Sequence, residues 1–136
     1  MKRPTTIPRG IRNCNPLNIR IGNTWLGERS NPTDPEFEEF VAMEYGVRAA
    51  FVILRRYIKR YHKDTIASIV STWAPAIENQ TQKYIDAVST QLGIDPLLPI
   101  KYEDEETMCN LVAAMAKVEC GRPVDISIIH KGYVMA

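Results

Sequence analysis

Glu44-Tyr-Gly-Val-Arg-Ala-Ala-Phe-Val-Ile-Leu-Arg-Arg-Tyr-Ile-Lys-Arg-Tyr-His62 is the stretch that decides the fold class. Val47, Ala50, Phe51, Leu54, Ile58 and Tyr61 recur at i, i+3, i+4 and i+7, which sets them on one apolar stripe of an amphipathic helix. Arg48, Arg55, Arg56 and Lys59 fall away from that stripe. Further helices are expected downstream. A short one begins after Asp64, whose side chain is placed to cap it. It carries Ile66, Ile69 and Val70 and ends near Trp73-Ala74-Pro75, because a residue before proline disfavours the helical region. A third spans residues 79–92, with Tyr84, Ile85, Val88 and Leu92 on one face, and stops at Gly93. After a proline-rich connection, Glu103-Asp104-Glu105-Glu106 puts negative charge on the first turn of a fourth helix, where it complements the helix dipole. That helix carries Met108, Leu111, Val112, Met115 and Val118 and ends at Gly121. Pro123 opens a last, shorter segment with Ile126, Ile129 and Tyr133.

Upstream the character changes. Arg9-Gly-Ile-Arg-Asn-Cys-Asn-Pro-Leu-Asn-Ile-Arg-Ile-Gly-Asn-Thr-Trp-Leu-Gly27 is neither an amphipathic helix nor an alternating strand. Asn and Gly tolerate left-handed backbone, and Asn side chains bond nearby main-chain groups, so this stretch reads as a fixed polar loop. A polar loop leading to a Trp platform suits a carbohydrate-binding cleft; the plainer alternative is an arm packed on helices. A small β-hairpin is expected over residues 18–41, with turns at Gly22-Asn23 and around residues 31–35. The expected architecture is mainly α, with a small β element, in one domain covering residues 1–136 with residues 1–8 as a flexible arm.

The 136 residues are 45% hydrophobic, enough for one compact core. Seventeen basic residues against 16 acidic ones leave a net charge of +1, which argues against a dedicated nucleic-acid binder. Local basic runs such as Arg55-Arg56 with Lys59-Arg60 read as solvated helix faces. Cys14, Cys109 and Cys120 form an odd set without CxxC spacing, and the histidines are His62 and His130, so no zinc site and no cofactor is expected. Free thiols point to a reducing compartment during synthesis. Residues 1–8 are basic but lack the apolar core of a signal peptide, so the chain is expected to be made in the cytoplasm. No apolar run approaches the roughly 20 residues of a membrane helix, and no membrane insertion is expected.

Three groups have residues suited to chemistry. Glu119 stands in the last turn of an apolar helix, where a carboxylate opposes the helix dipole. Apolar neighbours and the negative helix end both raise such a pKa, as a general acid requires. The plain alternative is an exposed Glu near a helix end. In the segment from Trp73 to Ile85, Asn79 can cap the third helix, with Thr81 and Tyr84 on one side; Tyr84 either turns its hydroxyl into a cleft or is a core aromatic with a polar tip. Glu28, Asp34, Glu36 and Glu44 are candidate second carboxylates, with Asp34 and Glu36 in the turn region of the hairpin, although most loop acids are only solvated.

The opening loop, Trp25-Leu-Gly27, Phe37-Glu-Glu-Phe40, Gly46-Val-Arg-Ala49, Trp73-Ala-Pro75, Glu78-Asn79-Gln-Thr81 and Tyr84 together resemble small phage and prophage virion proteins of the structural protein P5-like family, itself similar to lysozyme-like peptidoglycan hydrolases. The resemblance runs from about Arg9 to Gly121, with Cys14 where the family pattern has Asn and Leu17 where it has Gly. Asn79-Gln-Thr81-Gln-Lys-Tyr84 is similar to a lytic transglycosylase motif whose Tyr lies beside the catalytic Glu. In related glucosaminidases a Glu-Ser-Gly helix ending precedes the Asn-rich loop; here Val118-Glu119-Cys120-Gly121 resembles that ending but follows the loop. The resemblance therefore implies a circularly permuted lysozyme-like domain in which Glu119 lies near Tyr84 and the loop of residues 13–18. It implies cleavage of the β-1,4 bond between N-acetylmuramic acid and N-acetylglucosamine as a muramidase or lytic transglycosylase. Glu119 would be general acid/base, Tyr84 would position it, and Asp34 would support a water if the outcome is hydrolysis. Asn13, Asn15, Asn18, Trp25, Trp73, Asn79 and Thr81 would contact peptidoglycan glycan strands. It also implies association with a virion or release to the cell wall. The alternative is a non-catalytic virion or wall-binding protein.

Overall fold

The structure is a computed structural model that describes residues 7–74 and 78–136, with the side chains of Glu78 and Asn79 outside the described set. The chain is mainly helical, with α1 (Arg9–Arg12), α2 (Met43–Tyr61), α3 (Ile66–Trp73), α4 (Glu78–Leu92), α5 (Glu105–Cys120) and α6 (Ile126–Met135) in order. The stripe on α2 forms the centre of the core: Val47, Ala50, Phe51 and Leu54 are fully buried. Each side chain of the size of Phe51 or Leu54 contributes about 1.5–3 kcal/mol by leaving water. Tyr61, assigned to the same stripe, is instead 52% exposed. It sits in the last turn, just before His62 turns the chain out through a left-handed conformation (φ 54°).

The helix ends follow local chemistry. Thr65, not Asp64, caps α3: its hydroxyl accepts from the Ser68 N–H at 3.1 Å, while the Ser68 hydroxyl accepts from the Thr65 N–H at 3.1 Å. This reciprocal pair satisfies two otherwise orphaned donors. Asp104 caps α5, so Glu103 and Asp104 precede the helix and only Glu105 and Glu106 lie in its first turn. The last helix starts at Ile126 rather than at Pro123, because the Asp125 side chain accepts from the Ser127 N–H at 2.8 Å and caps it there. Gly121 ends α5 with φ 75°, a conformation that costs a glycine little.

The expected hairpin over residues 18–41 is absent as such, and no strand forms among the described residues. Isolated antiparallel bridges join Arg20 to Phe37 and Glu28 to Phe40. The Ile21 N–H donates to Glu36 O at 3.0 Å and the Glu38 N–H to Ile19 O at 2.9 Å. Pro32 and Pro35 cannot donate to a ladder, and polar side chains brace the loop instead. Of the arm expected over residues 1–8, residues 1–6 lie outside the described set. Pro8 belongs to the fold, since its carbonyl accepts from the Arg12 N–H at 2.9 Å.

Leu17 and Phe40 carry the loop into the core, both fully buried. Gly46 lets the loop dock directly on α2: a Cβ there would lie 2.0 Å from the Cys14 carbonyl oxygen. Around α2, α6 packs on one side, while α4 packs between α3 and α5. This arrangement brings the C-terminal end of α5, the middle of α4 and the tip of the loop together. No helix among the described residues is long and apolar enough to cross a membrane.

Candidate functional site

Glu119 occupies the last turn of α5, half-buried, between the loop and α4. From the loop, the Asn18 side-chain amide donates to the Glu119 carbonyl at 3.1 Å and to its Oε1 at 3.3 Å. Asn18 reaches this position through a left-handed backbone, φ 53°, which Asn tolerates better than most residues. From α4, the buried Tyr84 hydroxyl donates to Met115 O at 3.5 Å and lies close enough to the Glu119 carboxylate for each to shift the other's pKa. Glu119, Tyr84 and Asn18 thus stand together, with Asn18 101 positions away from Glu119 along the chain.

Burial pushes the Glu119 carboxyl above the usual carboxylate range, and the bonds from Asn18 and Tyr84 hold it back only in part. The negative end of α5 acts in the same direction as burial. Burial also pushes the Tyr84 phenol up, with the Glu119 charge adding to it, so Tyr84 stays protonated and acts as a donor. Such a cluster can hand a proton to an oxygen leaving group and take one back.

Glu119 opens onto a cavity of about 370 Å³, lined also by Thr81, Tyr84, Lys83 and Val118. Thr81 has its hydroxyl committed to Ala74 O at 2.9 Å, which ties α4 to the end of α3. A second cavity of about 350 Å³ is lined by Asn18, Trp25, Trp73, Tyr57, Arg20 and Arg56 among others. The two adjoin: Trp73 lines one and Ala74 the other, and the Asn18–Glu119 bond joins their walls. Trp73 is fixed by its indole N–H, which donates to Leu17 O at 3.1 Å. The Trp25 indole N–H is buried without a partner among the described residues. Among the described residues, Glu119 is the carboxylate that lines the first cavity, and none lines the second.

Other expected site residues serve the loop itself. Asn15 is fully buried, donating to Ile19 O at 2.9 Å and Glu38 O at 3.0 Å and accepting from the Ile19 N–H at 2.9 Å. Asn13, 2% exposed, donates to Asp34 at 2.9 Å. Burial keeps both amides from a sugar, and Asn15 has both its donors committed to the loop. Asp34 is not a second catalytic carboxylate of the cleft. Its oxygens accept from Arg9 Nε at 2.6 Å and Nη2 at 2.5 Å, from Asn13, and from the Glu36 and Phe37 N–H groups. The Arg9 guanidinium, followed by the other donors, holds its carboxyl far below the usual range, so it is a poor base. Asn79 falls in α4, but its side chain lies outside the described residues.

Several lining residues were not anticipated. Lys83 enters the first cavity from the same turn as Thr81 and Tyr84, while Arg56 and Tyr57 enter the second from α2. Arg56 reads from sequence as part of a solvated face, and nothing in the period of α2 marks it otherwise. Behind the second cavity's Trp25, the Glu28 carboxylate accepts from the Trp25 N–H at 3.1 Å. Buried Glu38 meets Glu28; burial, followed by that neighbour, pushes its carboxyl up to about 7.

A separate cluster joins α5 and α6. His130 Nδ1 lies 2.9 Å from Glu105 Oε2 and 3.5 Å from Cys109 Sγ. The three ligand-type atoms all lie within 4.8 Å of one another. Cys14, Cys109 and Cys120 are all free thiols.

No family model matches the sequence. Over 130 residues, covering 92% of this chain and 79% of the other, it is 38% identical to Protein P5 of Pseudoalteromonas phage PM2.

Proposed function

The chain belongs to the family of Protein P5 of Pseudoalteromonas phage PM2, and from the cleft we propose that it cleaves peptidoglycan glycan strands. The observation that carries this reading is the carboxyl of Glu119, its pKa raised by burial at a helix end, open to a cavity and flanked by Asn18 and Tyr84. In this role Glu119 protonates the glycosidic oxygen between N-acetylmuramic acid and N-acetylglucosamine as the bond breaks. Because Glu119 is the one acid lining the cleft among the described residues, the same carboxylate then accepts the proton of the muramyl 6-hydroxyl as that oxygen closes on C1. The product is a 1,6-anhydro end, the outcome of a lytic transglycosylase rather than of a two-carboxylate hydrolase. Tyr84 and Asn18 position the acid. Trp25 and Trp73 offer aromatic surface to sugar rings. On this reading the domain is lysozyme-like and circularly permuted, with α5 as the catalytic helix placed after the loop.

The test is digestion of purified sacculi by the wild type and Glu119→Gln, with analysis of the muropeptide ends. Release of anhydro-ended products by the wild type and their loss in the variant is the expected result. Equal activity in both would reject Glu119 as the acid.

A second reading is a virion component that binds the wall without cutting it. It is favoured by the second cavity, which combines Trp25, Trp73, Tyr57 and arginines with no carboxylate among the described residues, and by membership of a phage protein family. Binding to sacculi by a wild type that releases no products would establish it.

A further inference from the structure

We propose that Glu105, Cys109 and His130 bind one divalent transition-metal ion, zinc by preference, at the junction of α5 and α6. Glu105 and Cys109 are four residues apart on α5 and so share one face of that helix. His130 comes from α6 and meets both with the same ring nitrogen, Nδ1, at 2.9 Å and 3.5 Å. That convergence separates a metal site from a catalytic arrangement. A Cys–His–Glu triad needs the thiol on one ring nitrogen and the carboxylate on the other, as in serine and cysteine hydrolases. Here one lone pair faces both partners, as a metal ligand does when its co-ligands flank the ion.

The distances fit. Zinc bonds of about 2.3 Å to sulfur and about 2.0–2.1 Å to nitrogen or oxygen, at tetrahedral angles, put the ligand atoms about 3.4–3.6 Å apart. The Sγ···Nδ1 separation of 3.5 Å already matches. The Oε2···Nδ1 separation of 2.9 Å must open by about 0.5 Å, an easy movement for side chains that are 46% and 42% exposed. A thiolate with an imidazole and a carboxylate selects zinc or cobalt over magnesium and calcium, which take oxygen ligands. On binding, the Cys109 thiol proton passes to solvent and the thiolate bonds the ion.

Three protein ligands leave a fourth position for water. Glu105 and Glu119 sit at opposite ends of α5, about 21 Å apart by helical rise. The proposal is therefore independent of the role assigned to Glu119, and the ion acts as a staple between α5 and α6.

The test is titration of the reduced, metal-free protein with Co²⁺, followed by displacement with Zn²⁺. One equivalent of Co²⁺ should give a near-ultraviolet thiolate-to-cobalt charge-transfer band and the visible bands of a four-coordinate ion, and Zn²⁺ should abolish both. Cys109→Ser should remove the charge-transfer band, while Cys14→Ser and Cys120→Ser keep it. His130→Ala changes a half-exposed residue and should lower affinity by more than about 100-fold with the circular dichroism spectrum unchanged, since even outer-shell changes cost 10–100-fold. Absence of stoichiometric binding, a cobalt spectrum without the charge-transfer band, or a band that survives Cys109→Ser would each overturn the proposal.

Discussion

Replacing Asn15 by Ala separates a loop-building residue from a sugar-binding one. The Asn15 amide is fully buried and bonds the Ile19 N–H, Ile19 O and Glu38 O. Ile19 O keeps a second donor, the Glu38 N–H at 2.9 Å. The Ile19 N–H and Glu38 O have no other partner among the hydrogen bonds described. Two buried main-chain groups orphaned at about 1–3 kcal/mol each predict a loss of about 2–6 kcal/mol. For a chain of this length, at roughly 3 °C per kcal/mol, the melting midpoint falls by roughly 6–18 °C. Urea and thermal unfolding followed by far-ultraviolet circular dichroism would measure both. Asn23→Ala, in the exposed part of the same loop, is the control and should shift stability by less than about 0.5 kcal/mol. Well below its midpoint, Asn15→Ala should still act on sacculi. A cost under about 1 kcal/mol, together with lost binding to sacculi, would refute the argument and return Asn15 to the substrate contacts.

Tyr84→Phe removes a bond that lowers the Glu119 pKa, so the alkaline limb of the pH–activity profile, where the acid loses its proton, should move to higher pH; an unmoved limb would sever Tyr84 from Glu119. Glu38 has its folded pKa raised to about 7 from an ordinary 4.5. Its contribution to stability is therefore fully present below about pH 4.5 and lost as pH rises through 7. Glu38→Gln should flatten that decline in urea titrations across the window. The carboxyl of Asp34 is depressed from an ordinary 3.8, so its contribution is present above that pH and lost below it. Asp34→Asn should destabilise the protein at pH 7, with the difference shrinking as acid is added below pH 4.

The helices were legible because the core selects a period. Val47 to Ile58 lie on a stripe that α2 buries, and Gly93 and Gly121 stand where α4 and α5 end, each with positive φ. The loop was legible only in outline. Asn13 and Asn15 read as ligand-facing because polar side chains usually face water, yet here the buried backbone of a strandless loop needs them as partners. Asp34 read as available because its partner Arg9 is 25 residues away, beyond any local pattern. The four-residue α1 has no apolar period to announce it. The neighbourhood of Glu119, Tyr84 and Asn18 was expected through family resemblance rather than through spacing. Glu105, Cys109 and His130 form no local pattern, because His130 arrives from another helix, 21 residues beyond Cys109.

The Asn18–Glu119 bond has a temporal consequence. Its first partner leaves the ribosome about 100 residues before its second, an interval of about 5–20 s at ordinary synthesis rates. Until α5 has formed and docked, the loop has no carboxyl to hold and the cleft has no floor. Closing so long a loop costs more chain entropy than any helical turn, so this cleft is among the last parts of the molecule to assemble. A half-made or clipped chain would lack the cleft even where its first helices had folded.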